Sequence, residues 1–179
     1  MTDHPHKVYL SLIIPSYKSA SILEQSLPPL LNYLKLKKFD FEIIIVDDGS
    51  DDDGATKNLA RILNVEFAFN PVNKGKGAAV KKGVQAASGK YVLYTDADIP
   101  FEYESIENAL HFLDAENYDV VIGDRYLVDS AYFKEISLKR KISSYLFTSI
   151  VNSLISVNFK DTQCGFKGFR SEVANRPPS

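Results

Sequence analysis

A single cysteine, Cys164, stands in a chain of 179 residues. That scarcity excludes an internal disulfide framework and any cluster of cysteine metal ligands, and it fits a reducing compartment. An excess of charge of one sign is lacking as well. Lys plus Arg number 21 against 23 Asp plus Glu, a formal net charge of −2, which supplies no bulk field to gather nucleic acid. Runs of about 18 uncharged apolar residues are missing, so no bilayer-spanning segment is expected. The polar opening Met1 to Lys7 lacks the charged start, apolar stretch and small-residue cleavage site of a signal peptide, so no export signal and a cytoplasmic location are expected. No repeat or linker-like segment interrupts the chain.

What is present suffices to fold. Hydrophobic residues make up 45% and charged residues 25%, the balance of a globular chain of about one domain's length. The apolar runs Val8 to Ile14, Phe41 to Val46, Val65 to Phe69, Tyr91 to Thr95 and Val120 to Gly123 are short, and each is followed by polar, Gly or Pro residues. They read as buried parallel strands. Between them, Val80, Gly83, Val84 and Ala87, and likewise Ile106, Ala109, Leu110 and Leu113, have the i, i+3, i+4, i+7 spacing of helix faces that pack on a sheet. Ser21 to Glu24 has capping-box spacing, and Pro28-Pro29 is expected to kink or restart the first helix. The alternation predicts a doubly wound, mostly parallel α/β sheet, whose ligands bind beyond the carboxyl ends of the strands.

A later segment differs. From Lys139 to Val157 one stripe (Ile142, Tyr145, Leu146, Ser149, Ile150, Leu154, Val157) has helical spacing and a second, apolar one (Phe147, Val151, Ile155) lies off it, behind the basic start Lys139-Arg140-Lys141. Such a helix is either buried on both faces or rests on an apolar surface outside the protein, a membrane or lipid.

Polar residues gather where a doubly wound sheet predicts a site. Pro15-Ser16-Tyr17 follows the first strand, Asp47-Asp48-Gly49-Ser50 the second, Asn73 to Gly77 the third and Asp96-Ala97-Asp98 the fourth. Alternation at a strand end puts Asp96 and Asp98 on one side, a pair suited to a hard divalent cation that also touches phosphate oxygens. Asp47 and Asp48 have two readings, as turn formers ahead of a helix or as acceptors for a nucleobase or ribose. Gly75-Lys76-Gly77 at a helix start allows close backbone approach to phosphate or ribose, but the Walker spacing is absent. The three histidines, His4, His6 and His111, lie outside every motif and read as surface residues.

Together VDDGS (Val46 to Ser50), NKGKGAAV (Asn73 to Val80), DAD (Asp96 to Asp98), GDR (Gly123 to Arg125) and DTQCGFKGFR (Asp161 to Arg170) resemble the family 2 glycosyltransferases of the GT-A fold. Within them the chain is most similar to the branch that charges polyprenyl phosphates, the dolichyl-phosphate β-glucosyltransferases and their bacterial relatives. The match implies a disordered amino terminus at 1–7, a GT-A glycosyltransferase domain at 8–170 and a tail at 171–179. It also implies transfer of a hexose, glucose from UDP-glucose, to a polyprenyl phosphate with inversion, at the cytoplasmic face of a membrane. By position, Pro15, Tyr17, Asp47 and Asp48 would hold base and ribose, Lys76 would line the nucleotide pocket, and Asp96 and Asp98 would hold Mg²⁺ or Mn²⁺. Arg125, Arg140 and Lys167 would address acceptor phosphate or donor diphosphate, while Gln163 and Phe166 would shape the sugar pocket. Asp161 is the carboxylate available as a base for a hydroxyl acceptor, so Asp98, Arg125, Asp161 and Lys167 form the expected catalytic set.

Relatives continue beyond GFKGFR with a further strand, helices and often an apolar carboxyl region, so an end at Arg176-Pro177-Pro178-Ser179 implies truncation. Two alternatives stay open: a family 2 transferase acting on a soluble or polysaccharide hydroxyl, and a nucleotide-sugar-binding domain without turnover.

Overall fold

Strands that are apolar nearly throughout need cover on both faces, and the chain supplies it. The computed structural model describes residues 8–123 and 164–174. In chain order the elements are β1 (Val8–Ser16), α1 (Ala20–Lys35), β2 (Phe41–Asp48), α2 (Ala55–Leu63), β3 (Glu66–Asn70), α3 (Lys76–Ala86), β4 (Gly89–Tyr94), α4 (Glu104–Asp114), β5 (Val120–Ile122) and β6 (Lys167–Arg170), with a helical turn at Ser171–Ala174. Leu10, Leu12, Ile14, Ile43, Ile45, Tyr91 and Leu93 face one core shared with α1, α2 and α4. The alternate residues Ile13, Ile44, Val46 and Val92 face a smaller core closed by Ala79 and Val84 of α3.

The sheet has six strands in the order β3-β2-β1-β4-β6-β5. β3, β2, β1 and β4 pair in parallel, whereas β6 runs antiparallel between β4 and β5. The five expected strands are present with ends shifted by one or two residues. β6 carries no apolar run: Lys167-Gly168-Phe169-Arg170 becomes a strand through its neighbours. At Gly168 an added Cβ would overlap Leu93, and Arg170 donates from Nη2 to the Leu113 carbonyl at 2.6 Å, tying the strand to the end of α4.

Two local expectations are corrected. α1 runs unbroken from Ala20 to Lys35 with Pro28 and Pro29 inside it, because Leu23, Leu27, Leu30, Leu31 and Leu34 are all buried on the sheet; packing of that stripe outweighs the lost helix hydrogen bonds. Ser21 is not the cap. The N-cap is Ser19, without a side-chain cap bond, and its hydroxyl donates instead to the Tyr17 carbonyl at 2.9 Å. The segment 139–157, with its two stripes, lies outside the described residues. Among the described residues no helix is long and apolar enough to cross a membrane.

Candidate functional site at the sheet switch point

The strand order itself locates a site. From β1 the chain steps outward to β2 and β3, then crosses back to place β4 on the other side of β1, so the topological switch point falls between β1 and β4. A cleft of about 400 Å³ opens at their carboxyl ends. Pro15, Ser16 and Tyr17 from β1 and its loop form one wall, Asp96, Ala97 and Asp98 after β4 a second, and Asn73, Gly75 and Lys76 at the start of α3 the rim. Ser19 and Ile22 line it too, although neither was singled out as a ligand contact in the sequence. Their signal was position just after β1, at the start of α1, not residue type.

Asp48 braces this cleft. Only 3% exposed, its carboxylate accepts from Asn70 Nδ2 at 2.7 Å and from the backbone N–H groups of Gly75 at 2.7 Å and Lys74 at 3.1 Å. Burial alone would raise its pKa, but those donors outweigh it and hold the carboxyl below its ordinary range. Gly75, with φ +88°, turns the chain so that its N–H meets Asp48 and α3 begins at the cleft. Asp47 closes its own turn, accepting from the Ser50 hydroxyl and from the Ser50 N–H at 3.2 Å. Ser50 Oγ in turn accepts from the Lys18 N–H at 2.8 Å, joining the loops after β1 and β2. Asp47 pairs with Ser16 in the sheet register, so it stands at the same edge as Tyr17. It is not among the cleft-lining residues.

The acidic loop after β4 is held in an unusual shape. Ile99 has φ +43°, a region that costs a β-branched residue about 1–3 kcal/mol. The loop keeps it because the Ile99 side chain is buried, its N–H donates to Asp96 O at 3.1 Å, and Ser26 Oγ on α1 donates to Ala97 O at 2.6 Å. Asp96 Oδ1 accepts from Lys76 Nζ at 2.5 Å across the cleft. No three His, Cys, Asp or Glu residues group as metal ligands among the described residues. Two carboxylates on one cleft wall nevertheless fit a hard cation that completes its shell with water and phosphate oxygens.

Phe166 and Lys167 are not among the cleft-lining residues. Phe166 is 8% exposed and its ring packs at 4.4 Å from that of Phe101, inside the larger core. Lys167 starts β6 opposite Tyr94, with Nζ 5.8 Å from the centre of that ring. Arg125, Arg140, Asp161 and Gln163 lie outside the described residues.

Residues 11–176 match the model of glycosyl transferase family 2. The chain is 37% identical over 183 residues to a protein of Dictyostelium discoideum named dolichyl-phosphate beta-glucosyltransferase, covering 94% of this chain and 56% of that one. A protein of the same name from Saccharomyces cerevisiae is 32% identical over 184 residues, covering 91% and 55%. The chain thus spans about half the length of the curated relatives it matches. Among solved structures, glucosyl-3-phosphoglycerate synthase from Mycobacterium tuberculosis, in complex with Mn²⁺, UDP and glucosyl-3-phosphoglycerate, superposes with a TM-score of 0.67 at 18% identity over 93% of this chain and 58% of that one. A mannosyltransferase from Pyrobaculum calidifontis, in complex with GDP-Man and Mn²⁺, gives 0.60 at 18% identity over 94% and 46%. Likeness at that identity shows the fold alone, and the fold is GT-A.

Proposed function

From the premise that this chain belongs to glycosyl transferase family 2, we propose that it transfers glucose from UDP-glucose to a polyprenyl or dolichyl phosphate, with inversion at the anomeric carbon. The observation that carries this reading is the convergence of Tyr17, Lys76, Asp96 and Asp98 on one cleft at the switch point. The names of the relatives support the glucose and the lipid acceptor. The UDP, GDP-Man and Mn²⁺ bound in the neighbouring structures support a nucleotide sugar with a divalent ion.

In this reading the bond from the anomeric carbon to the donor diphosphate breaks as a bond to an acceptor phosphate oxygen forms, and the nucleoside diphosphate leaves with the electron pair. Pro15 and Tyr17 hold the base, with Asp47 and Asp48 towards the ribose. Lys76 releases Asp96 and turns its ammonium to the diphosphate, where negative charge grows as the bond lengthens. Asp96 and Asp98 would hold Mg²⁺ or Mn²⁺, which would neutralise the same charge when bound. Lys167, Arg125 and Arg140 receive the acceptor phosphate, and Gln163 shapes the sugar pocket, with Phe166 backing it from the core. A phosphate nucleophile with a second pKa of about 6 is already ionised at neutral pH, so it requires positioning rather than a base. Asp161 takes the base role only with a hydroxyl acceptor. A lipid acceptor brings the reaction to a membrane surface, which we take to be the cytoplasmic face.

Incubation with UDP-glucose, dolichyl phosphate and Mn²⁺ tests the proposal by extraction of a glucosylated lipid. Transfer only to soluble hydroxyls, or nucleotide binding without transfer, overturns it. Calorimetry adds the metal: UDP binding should weaken in EDTA, and Asp98→Ala should remove that difference.

A further inference from the structure

The carboxylate of Asp96 is bounded on two sides. Lys76 Nζ stands 2.5 Å from Oδ1. Opposite, the chain returns to enter the sheet as β6, and its approach Cys164-Gly165-Phe166 is fixed by several contacts. Cys164 and Phe166 are buried, Phe166 packs on Phe101, and the Gly123 N–H donates to Phe166 O at 2.9 Å. Gly165 therefore has little room to retreat. A methyl group built on it would overlap Asp96 Oδ2 and stand 2.8 Å from Cγ and 3.3 Å from Oδ1. Gly168 is equally crowded, but there the neighbours are core side chains: Leu93 Cδ2 is overlapped, with Val121 Cγ2 at 3.1 Å and Leu113 Cδ1 at 3.4 Å.

From this contrast we infer that Gly165 is a positioning residue: its lack of a side chain sets where the Asp96 carboxylate stands. Overlap at a close-packed core must be relieved by shifting packed neighbours, which costs stability. At Gly165 the overlapped atoms end a short side chain that is 38% exposed, so the cheap relief is rotation of Asp96 itself, giving up a surface ion pair that contributes little. The fold survives and the carboxylate is misplaced. A cation-holding oxygen tolerates little misplacement, since ligand distances are held to about 0.2 Å.

The inference rests on the proposed role of Asp96 with a divalent ion, and its test keeps the two apart. Mn²⁺ binding in the presence of UDP is followed by electron paramagnetic resonance, with thermal melting alongside. Gly165→Ala should raise the Mn²⁺ dissociation constant roughly tenfold, the range for supporting residues around metal ligands, with little change in melting temperature. Gly168→Ala should do the reverse. In an Asp96→Ala background the overlap is gone, so adding Gly165→Ala should cause no further loss of UDP affinity. Unchanged Mn²⁺ affinity in Gly165→Ala overturns the inference. If Gly165→Ala fails to fold, Asp96→Ala/Gly165→Ala decides: recovery of folding upholds the overlap as the cause, and continued failure overturns the inference. Should Asp96→Ala alone leave Mn²⁺ binding intact, the metal reading falls and takes the inference with it.

Discussion

Ser16 and Thr95 carry hydroxyls at adjoining strand ends that are 3% and 0% exposed, and neither Oγ nor Oγ1 finds a hydrogen-bond partner among the described residues. An unmet buried hydroxyl costs about 1–3 kcal/mol, so both should be replaceable with a gain in stability. Ser16 lines the cleft and Thr95 does not, and this separates their effects. Thr95→Val should raise stability by about 1 kcal/mol in urea unfolding, with UDP affinity unchanged. Ser16→Ala should be stabilising too, and because the residue lines the cleft it should also change UDP affinity in calorimetry, which Thr95→Val should not. Destabilisation by Thr95→Val would mean that the hydroxyl has a partner. Asp48 is the opposite case: Asp48→Ala would leave the Asn70 amide and the Lys74 and Gly75 N–H groups without their acceptor. It should cost about 1–3 kcal/mol and loosen the start of α3. Its lowered pKa adds stability that is present above the ordinary carboxylate range and is lost as pH falls through the folded value.

At the far end of the sheet, elements are held by a clasp with no part in the cleft. Asp114 at the end of α4 accepts from the Tyr91 hydroxyl, from Lys90 Nζ at 2.9 Å and from the Tyr9 hydroxyl at 3.0 Å. Those donors, Tyr91 first, lower its pKa from 3.8 to about 2. Burial first, then the bond to Asp114, pushes Tyr9 up to about 12. The clasp therefore stabilises α4 against β1 and β4 above pH 3.8, and that contribution is lost as pH falls towards 2. Asp114→Asn should flatten the acid limb of a stability-versus-pH curve over that window and leave Mn²⁺ and UDP binding unchanged. With 44% of the side chain exposed, solvent screening keeps the effect under about 1 kcal/mol. An acid limb identical to that of the parent protein would show that the clasp contributes nothing.

For the whole molecule, the consequence of the sheet order is a cleft at one edge, open to a donor from the side where β1 and β4 end. For the proposed lipid acceptor the segment to test is 139–157, which lies outside the described residues. The basic start and second apolar stripe within 139–157 motivate a prediction there. The protein should float with anionic liposomes, drawn by roughly 1 kcal/mol per basic residue near the surface. Phe147→Ser with Ile155→Ser should reduce flotation with circular dichroism unchanged. Equal flotation of the double variant would assign that segment to the core, and the proposed acceptor would have to reach the sugar by another route.

The positions of five strands, and the clustering of Tyr17, Asp48, Lys76, Asp96 and Asp98 in loops after four of them, were legible in the sequence because both are short-range properties. Apolar runs ended by turn residues mark a strand, and strand, helix, strand alternation sends every such loop to one edge. α1 shows where local rules lose: Pro28 and Pro29 by themselves point to a kink or a restart, yet the helix continues through both with five buried leucines on the sheet. β6 shows it again, since Lys167-Gly168-Phe169-Arg170 is a strand only because β4 and β5 flank it. The brace on Asp48, the Lys76–Asp96 pair and the glycine against Asp96 were not legible. Each joins residues far apart in the chain, 20 positions for Lys76 and Asp96 and 27 for Gly75 and Asp48. The order in which strands enter the sheet decides which side chains come together, and only tertiary packing sets that order.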